Sequence, residues 1–254
     1  MSKASYELYA ITIDIDWAPD FMIEEMASVL TEHGVKCTWF VTHDSPALQK
    51  LKANPLFELG IHPNFFPHSS HGQSEDEIIR YCFDLVPDAK SVRTHALYQN
   101  SRLISKLSNE YNLMADCSLF LADTPHLIPH VLHTNRTGKK LVRIPFFWED
   151  DVECMNPNPR WSVSHEIYRI PGMKMFNFHP MYVGLNENDF MNYEALKRKY
   201  NGVKVLSELS REEVAPFVNR EAGAGTFFRE LIPFLSQSGH KTFTASEIAE
   251  TFLG

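Results

Sequence analysis

The chain has few cysteines, and they form neither a disulfide framework nor a thiolate metal site. Its four cysteines are Cys37, Cys82, Cys117 and Cys154, and no two of them make a Cys-x-x-Cys pair. Each lies among residues of strand or helix character, where cysteine acts as a small buried apolar side chain. This pattern is typical of a protein in a reducing compartment.

Positive charge and long apolar runs are also scarce. Lys and Arg number 24 against 32 Asp and Glu, so the formal net charge is −8. An acidic chain is a poor partner for nucleic acid or an anionic membrane surface. No apolar run reaches the length of a membrane span, and residues 1–8 lack the apolar segment of a signal peptide. We therefore expect a cytoplasmic protein that neither binds nucleic acid nor inserts into a membrane.

Two further signatures are absent from the sequence. None of the 11 glycines belongs to a Gly-x-Ser-x-Gly nucleophile elbow or to a glycine-rich phosphate loop. These absences argue against serine-hydrolase chemistry and against a phosphate-cradling site. The chain does contain 12 histidines, so their positions are the first place to look for chemistry.

Apolar strand patterns alternate with amphipathic helical patterns along the chain. Strands are predicted over residues 8–17, 36–42 and 57–61, with helices between them, and this order predicts right-handed crossovers and a parallel sheet. Ser74 and Glu77 form a predicted capping box, and Thr244 is a predicted N-cap. Residues 118–138 show little periodicity and are predicted to form an extended excursion. The length suits one α/β barrel, so a single domain over residues 1–254 is expected.

Polar side chains recur at or just past the carboxyl ends of the predicted strands. In parallel α/β folds these ends converge on one face, where ligands bind. Asp14 and Asp16 come first, and because they are two residues apart their side chains leave the same face of the strand. A buried carboxylate needs a partner for its charge, although solvated or capping acids at a strand end remain an alternative. The other residues are His62, Arg93, His95, Asp116, Trp148, Glu149 and His179.

These residue types favour metal-assisted hydrolysis. Carboxylate and imidazole groups are ligands of zinc and other borderline divalent ions, which activate water. A further acid then serves as general base, and a histidine serves as general acid. Each residue taken alone also has a structural explanation, such as a cap or a surface ion pair.

Five short segments together carry a recognisable motif order. They are Thr12-Ile-Asp-Ile-Asp16, Glu58-Leu-Gly-Ile-His62, Val92-Arg-Thr-His-Ala-Leu-Tyr98, Leu113-Met-Ala-Asp116 and Phe176-Asn-Phe-His179. In this order they resemble the motifs of the polysaccharide deacetylase superfamily, also called the NodB-homology or carbohydrate esterase family four domain. The resemblance implies a distorted (β/α)7 barrel and removal of N-acetyl groups with a metal held by one Asp and two His.

The resemblance implies Asp16 and His62 as two of the metal ligands. Zinc is the expected ion, with cobalt, manganese, iron or nickel as alternatives. The family places its second histidine four residues after the first, and here that position is Phe66. His71 and His68 lie in the same loop, and we favour His71 as the third ligand. A site that lacks a third ligand is the remaining alternative.

The resemblance also implies the acid–base residues. Asp14 would be the base that activates water, and Arg93 would orient it through an ion pair. Asp116 would hold a neighbouring group, and His179 would protonate the leaving amine. For Arg93 the alternative is a surface ion pair, and for Asp116 it is a helix or turn cap.

Five residues are candidates for substrate contacts. They are Trp148, Glu149, His95, Tyr98 and Asn64. A cytoplasmic location favours a small-molecule or oligosaccharide substrate, such as a nucleotide-linked or lipid-linked acetamido sugar, over a wall polymer. Two alternatives stay open at this point: a non-catalytic carbohydrate-binding pseudoenzyme, and a metal-dependent hydrolase of a cyclic amide.

Overall fold

A computed structural model describes residues 7–111, 113–133 and 138–254, and strands alternate with helices over residues 9–120 as the sequence predicts. The strands are β1 (Tyr9–Asp14), β2 (Cys37–Val41), β3 (Phe57–Ile61), β4 (Ser91–Val92), β5 (Ala115–Phe120), β6 (His130–His133), β7 (Lys140–Phe146), β8 (Trp148–Glu149) and β9 (Lys174–Phe178). The helices are α1 (Asp20–Glu32), α2 (Ala47–Ala53), α3 (Glu75–Leu85), α4 (Ser101–Glu110), α5 (Asp150–Cys154), α6 (Pro180–Leu185), α7 (Met191–Tyr200), α8 (Arg211–Val214), α9 (Ala224–Gln237) and α10 (Ala245–Leu253).

Seven stretches of parallel strand surround the centre of the fold, if β7 and β8 are counted as one stretch. The sheet order is β6-β7-β5-β4-β3-β2-β1-β9-β8, and every neighbouring pair is parallel except β6 and β7. Strands β7 and β8 stand at opposite sides of this order, yet only Phe147 separates them in the chain. The Phe147 N–H donates to the Met175 carbonyl at 2.8 Å. One chain segment therefore joins both sides of the sheet, which confirms the expected distorted (β/α)7 barrel.

Strand β1 forms part of the barrel wall and is buried along its whole length. It pairs with β2 on one side and β9 on the other. Ile11 and Ile13 alternate with Thr12 and Asp14 along the strand, so the two pairs point to opposite faces. Thr12 and Asp14 bond to Asn177 and Arg93, whose side chains are also buried, so the polar pair faces the barrel interior. The isoleucines therefore face the surrounding helices.

Local capping signals in the sequence are confirmed. Ser74 caps α3 and Thr244 caps α10, each in a reciprocal capping box with the Glu three residues later. Part of the predicted excursion over residues 118–138 is instead regular, because β5 runs to Phe120 and β6 adds antiparallel to β7. Residues 134–137 of that excursion lie outside the described residues. The assignment of residues 1–254 to one domain stays a prediction.

None of the helices within the described residues has both the length and the apolarity needed to cross a bilayer.

Trp148 provides a test of core packing beside β8. Its indole is 1% exposed, packs against Trp161, Phe178 and Phe227, and donates from Nε1 to Glu153 at 2.8 Å. We expect Trp148→Ala to lower the free energy of unfolding by about 3–5 kcal/mol, because the cavity cannot fully collapse. Urea denaturation measures this change. Phe66→Ala, at a side chain 46% exposed, is the control and should change stability by less than about 0.5 kcal/mol. Equal effects in the two variants would contradict a structural role for Trp148.

Candidate metal centre and active site

The carboxyl ends of the parallel strands bring several predicted residues to one rim. Asp14 is the last residue of β1, and Glu149 is the last residue of β8. His62 and Arg93 directly follow β3 and β4, and His179 directly follows β9. The strand-end pattern in the sequence therefore does place these side chains together.

Asp16, His62 and His95 form the first cluster at this rim. The Asp16 Oδ1 atom lies 3.3 Å from His62 Nε2 and 3.4 Å from His95 Nδ1, and the two nitrogens are 3.3 Å apart. Two ligands that each lie about 2.0–2.1 Å from a tetrahedral zinc ion are separated by about 3.3 Å. The triangle thus has the edge length of three ligands of a tetrahedral ion.

The charge and hydrogen bonding of this cluster also suit a cation. Asp16 Oδ1, one corner of the triangle, is buried and has no hydrogen-bond partner among the described residues. Burial by itself would raise the pKa of the Asp16 carboxyl, but contact with His62 and His95 holds that pKa well below its usual range. An ionised carboxylate with two imidazoles is a donor set that zinc prefers. The residues therefore fit a zinc-like ion.

Strained backbone supports both ends of this cluster. Asp16 and Trp17 have φ values of 32° and 54°, and Ala96 and Leu97 have φ values of 49° and 55°. Non-glycine residues in this region each cost about 1–3 kcal/mol, and they persist where the surroundings fix them. The Trp17 N–H donates to Thr42 Oγ1 at 3.3 Å, which helps hold the turn after β1. The two left-handed turns, one after β1 and one after β4, thus place Asp16 and His95 beside His62.

Arg93 lies fully buried inside the barrel and neutralises Asp14. Its Nη1 donates to Asp14 Oδ1 at 3.1 Å and to Thr12 Oγ1 at 2.9 Å, and it also bonds to Asn177 Oδ1. Burial would raise the pKa of the Asp14 carboxyl, but the charges of Arg93, His62 and His179 outweigh it, and the net pKa is lowered. Asp14 is therefore held as a buried carboxylate.

The Arg93 guanidinium is also fixed from both sides. It lies 4.7 Å from the ring centre of Phe40 and 4.4 Å from that of Phe146, within the range of cation–π contacts. Its Nε donates to the Cys117 carbonyl at 3.0 Å. These contacts satisfy a charge that would otherwise be costly to bury.

His179 lies close to both Asp14 and Asp16. Its backbone N–H donates to Asp150 Oδ2 at 2.8 Å, and its Nδ1 lies 2.6 Å from Asp150 Oδ1. Its Nε2 is 3.8 Å from Asp14 Oδ2 and 3.8 Å from Asp16 Oδ2. Burial would lower the pKa of His179, but the charge and hydrogen bond of Asp150 raise it well above its ordinary value. The ring is thus oriented with Nε2 toward the acids.

Asn177 and Glu149 complete the buried network. The Asn177 amide donates from Nδ2 to Asp14 Oδ2 at 3.0 Å and to Glu149 Oε1 at 2.8 Å. Burial and the neighbouring Asp151 raise the pKa of Glu149 well above its usual value. Ligand atoms of Asp14, Glu149 and His179 all lie within 4.8 Å of one another, as a second group beside the first.

The structure does not bring His71 or His68 into the first cluster. His71 Nδ1 accepts from the Asn64 N–H at 3.1 Å, its ring stacks on Tyr81, and burial lowers its pKa to about 4. The His68 backbone has a φ of 64°, and its side chain is exposed. Because Asn64 and His71 close the loop upon itself, His95 from the next loop occupies the corner beside Asp16 and His62.

Asp116 and Trp148 also lie apart from the clusters. Asp116 Oδ2 is 2.9 Å from Arg143 Nε, and its Oδ1 accepts from the Ser118 N–H at 2.9 Å. Trp148 is enclosed in the core by the contacts described above, so its indole is not available to a sugar ring. Tyr98, by contrast, is 39% exposed and packs against Phe65.

Two residues of the buried hydrogen-bond network were not predicted from the sequence. Asn177 had a detectable signal, since an amide in the buried strand Phe176-Asn-Phe178 needs several partners. Asp150 had none, because nothing local to the acidic run 149–151 shows which carboxylate faces His179. Its role depends on the packing of α5 beside β9.

Comparison with known families supports these observations. A family model described as WbmS-like, polysaccharide deacetylase, matches residues 11–197. The structure resembles a putative polysaccharide deacetylase involved in O-antigen biosynthesis, WbmS from Bordetella bronchiseptica, with 31% identity and a TM-score of 0.72 over 88% of this chain and 89% of that one. The Bc1960 peptidoglycan N-acetylglucosamine deacetylase shares the fold, with 14% identity and a TM-score of 0.50 over 96% of this chain and 89% of that one. No curated protein sequence matches the chain.

The contribution of His95 to metal binding by the first cluster is directly testable. We expect His95→Ala to weaken Zn²⁺ binding by the chelator-treated chain at least about tenfold, since even removal of a supporting hydrogen-bond partner costs about 10–100-fold. Equilibrium dialysis with metal analysis measures the affinity. His68→Ala is the matched control and should bind Zn²⁺ as the parent chain does. Weaker binding in His71→Ala, with unchanged binding in His95→Ala, would contradict this arrangement.

Proposed function

The chain belongs to the WbmS-like polysaccharide deacetylase family, and on that premise we propose that it is a metal-dependent hydrolase that removes an N-acetyl group from a sugar or sugar precursor. One observation carries the proposal: the Asp16, His62 and His95 triangle lies beside a buried Asp14 and an oriented His179. A ligand triangle, a base and an acid at one barrel rim are the parts that amide hydrolysis needs.

Asp16, His62 and His95 would hold the divalent ion, for which zinc is the proposed identity. When bound, such an ion supplies a Lewis acid that polarises the acetyl carbonyl and lowers the pKa of water. The open side of the triangle would face the substrate, as catalytic zinc sites keep one position free.

Asp14 and His179 divide the proton transfers. Asp14 is held unprotonated by Arg93 and Asn177, so it accepts a proton from the attacking water. His179 donates a proton from Nε2 to the sugar nitrogen as the carbon–nitrogen bond breaks. Acetate and a free amino sugar leave, and the two side chains return to their starting states after proton exchange with solvent. Asp150 acts through His179 and is a positioning residue.

The mouth of the barrel suits a saccharide. Phe66 and Tyr98 are exposed, and the Phe66 ring contacts His95. Aromatic faces of this kind offer apolar stacking surface next to polar groups. WbmS is described as involved in O-antigen biosynthesis, which supports a sugar of a surface polysaccharide, or its precursor, as the substrate class.

Acetate release from a panel of N-acetyl sugars tests this proposal. We expect the Zn²⁺-loaded parent chain to release acetate, and Asp14→Asn to lower kcat at least about 100-fold, because the general base is lost. Binding of Zn²⁺ at the triangle should persist in Asp14→Asn, since Asp14 is not one of its three ligands. Asp44→Asn, an exposed carboxylate after β2, is the control and should keep its activity. A parent chain that hydrolyses only cyclic amides, or one that binds no divalent ion, would overturn the proposal.

The Asp150–His179 pair generates a second prediction. Asp150→Asn removes the anionic acceptor at Nδ1, so His179 loses both its orientation and its charge partner. We expect kcat to fall by about 10²–10⁴-fold while KM changes little, because proton donation belongs to the transition state. Steady-state kinetics on the best sugar of the panel measures both constants, and an unchanged affinity for the Zn²⁺ ion at the triangle shows that the triangle is intact. A change in KM alone would contradict the positioning role.

A further inference from the structure

A second group of potential ligands lies beside the first, and the proposed reaction does not require an ion there. It consists of Asp14, Glu149 and His179, all buried, with ligand atoms within 4.8 Å of one another. We infer that this group is a second divalent-cation site, weaker than the first, whose occupation stops the reaction. The inhibitory part of this inference rests on the proposed function, whereas the binding part does not.

His179 is arranged as metal-binding histidines are. Its Nδ1 is engaged by Asp150, which fixes the ring and directs Nε2 toward the acids, where an ion would take the place of the Nε2 proton. Nε2 makes no hydrogen bond to any residue within the described ranges, and it lies 3.8 Å from Asp14 Oδ2. A carboxylate on one ring nitrogen and an open second nitrogen is the common arrangement of metal-ligating histidines.

The two carboxylates are held in place by one side chain. Asn177 Nδ2 donates to Asp14 Oδ2 and to Glu149 Oε1, so the amide fixes the spacing of both acids. Arg93 bonds to Asp14 through the other oxygen, Oδ1, and it also bonds to Asn177 Oδ1. The guanidinium therefore does not occupy the side of Asp14 that faces His179.

The local balance of charge favours a second cation. Five carboxyl groups lie at this rim, those of Asp14, Asp16, Glu149, Asp150 and Asp151. Among the described residues, Arg93 is the one Lys or Arg side chain in an ion pair with any of them. Ions of opposite charge are strongly attracted in such a buried setting.

Asp16 connects the two sites. Its Oδ1 belongs to the first triangle, and its Oδ2 lies 3.8 Å from His179 Nε2. A carboxylate that offers one oxygen to each side is suited to adjacent ions, which in two-metal centres lie about 3.5–4 Å apart. The second site is the weaker one, because Arg93 already neutralises Asp14. An ion bound there occupies both the base Asp14 and the acid His179, so turnover stops.

Metal stoichiometry tests the site without reference to activity. The chelator-treated full chain is titrated with Zn²⁺ by calorimetry and by dialysis with metal analysis. We expect two ions per chain, one bound tightly and one more weakly. In Glu149→Gln the weaker affinity should fall at least about tenfold while the tight one persists, since one ligand oxygen becomes an amide. In His95→Ala the tight affinity should fall and the weaker one should persist.

His179→Gln gives the same readout if Glu149→Gln fails to fold. Acetate release by the parent chain should rise with the first equivalent of Zn²⁺ and fall as the second binds. A parent chain that saturates at one Zn²⁺ would overturn the inference. Weaker-site affinities that are unchanged in both Glu149→Gln and His179→Gln would overturn it as well. Two bound ions without acetate release would support the second site and overturn the proposed function instead.

Discussion

The buried ion pair between Arg93 and Asp14 is the interaction on which the barrel interior depends. One guanidinium nitrogen meets Thr12, Asp14 and Asn177, which come from two neighbouring strands, and two phenyl rings enclose the charge. Such a pair is costly to desolvate, and removal of one partner leaves an unpaired charge that costs about 3–5 kcal/mol. The barrel interior therefore contains a buried polar network. This network positions Asp14 at the rim and is not expected to add to the stability of the core.

The triangle of Asp16, His62 and His95 combines side chains that follow three different strands, β1, β3 and β4. The loop after β3 closes upon itself, because His71 accepts from the Asn64 backbone. The loop after β4 instead passes through left-handed backbone at Ala96 and Leu97 and brings His95 beside His62. Neighbouring loops at the carboxyl ends of parallel strands share one mouth, so a ligand from either loop can reach the same ion.

Sequence reasoning succeeded where the signal was local. Strand ends located Asp14, His62 and His179, and cap residues fixed the starts of α3 and α10. Asp16 reaches the same rim through the left-handed turn after β1, rather than by the strand alternation that the sequence predicted. It was less informative where partners come from distant segments. Trp148 follows a strand in the sequence, yet the helices around β9 enclose it. Asp116 ends a motif-like segment, yet its strand partner Arg143 engages it.

The sequence by itself determined the family, the alternation of strands and helices up to β5, and the arrival of Asp14, His62 and His179 at the rim, because these follow from spacing along one chain. Only the tertiary structure decided that the segment 140–149 closes the barrel, that His95 rather than His71 faces Asp16, and that Asp150 orients His179. The physical reason is that these contacts depend on the curvature of the sheet and on loop conformations at four or more strand ends at once. No single segment carries that information, so it appears when the barrel is assembled.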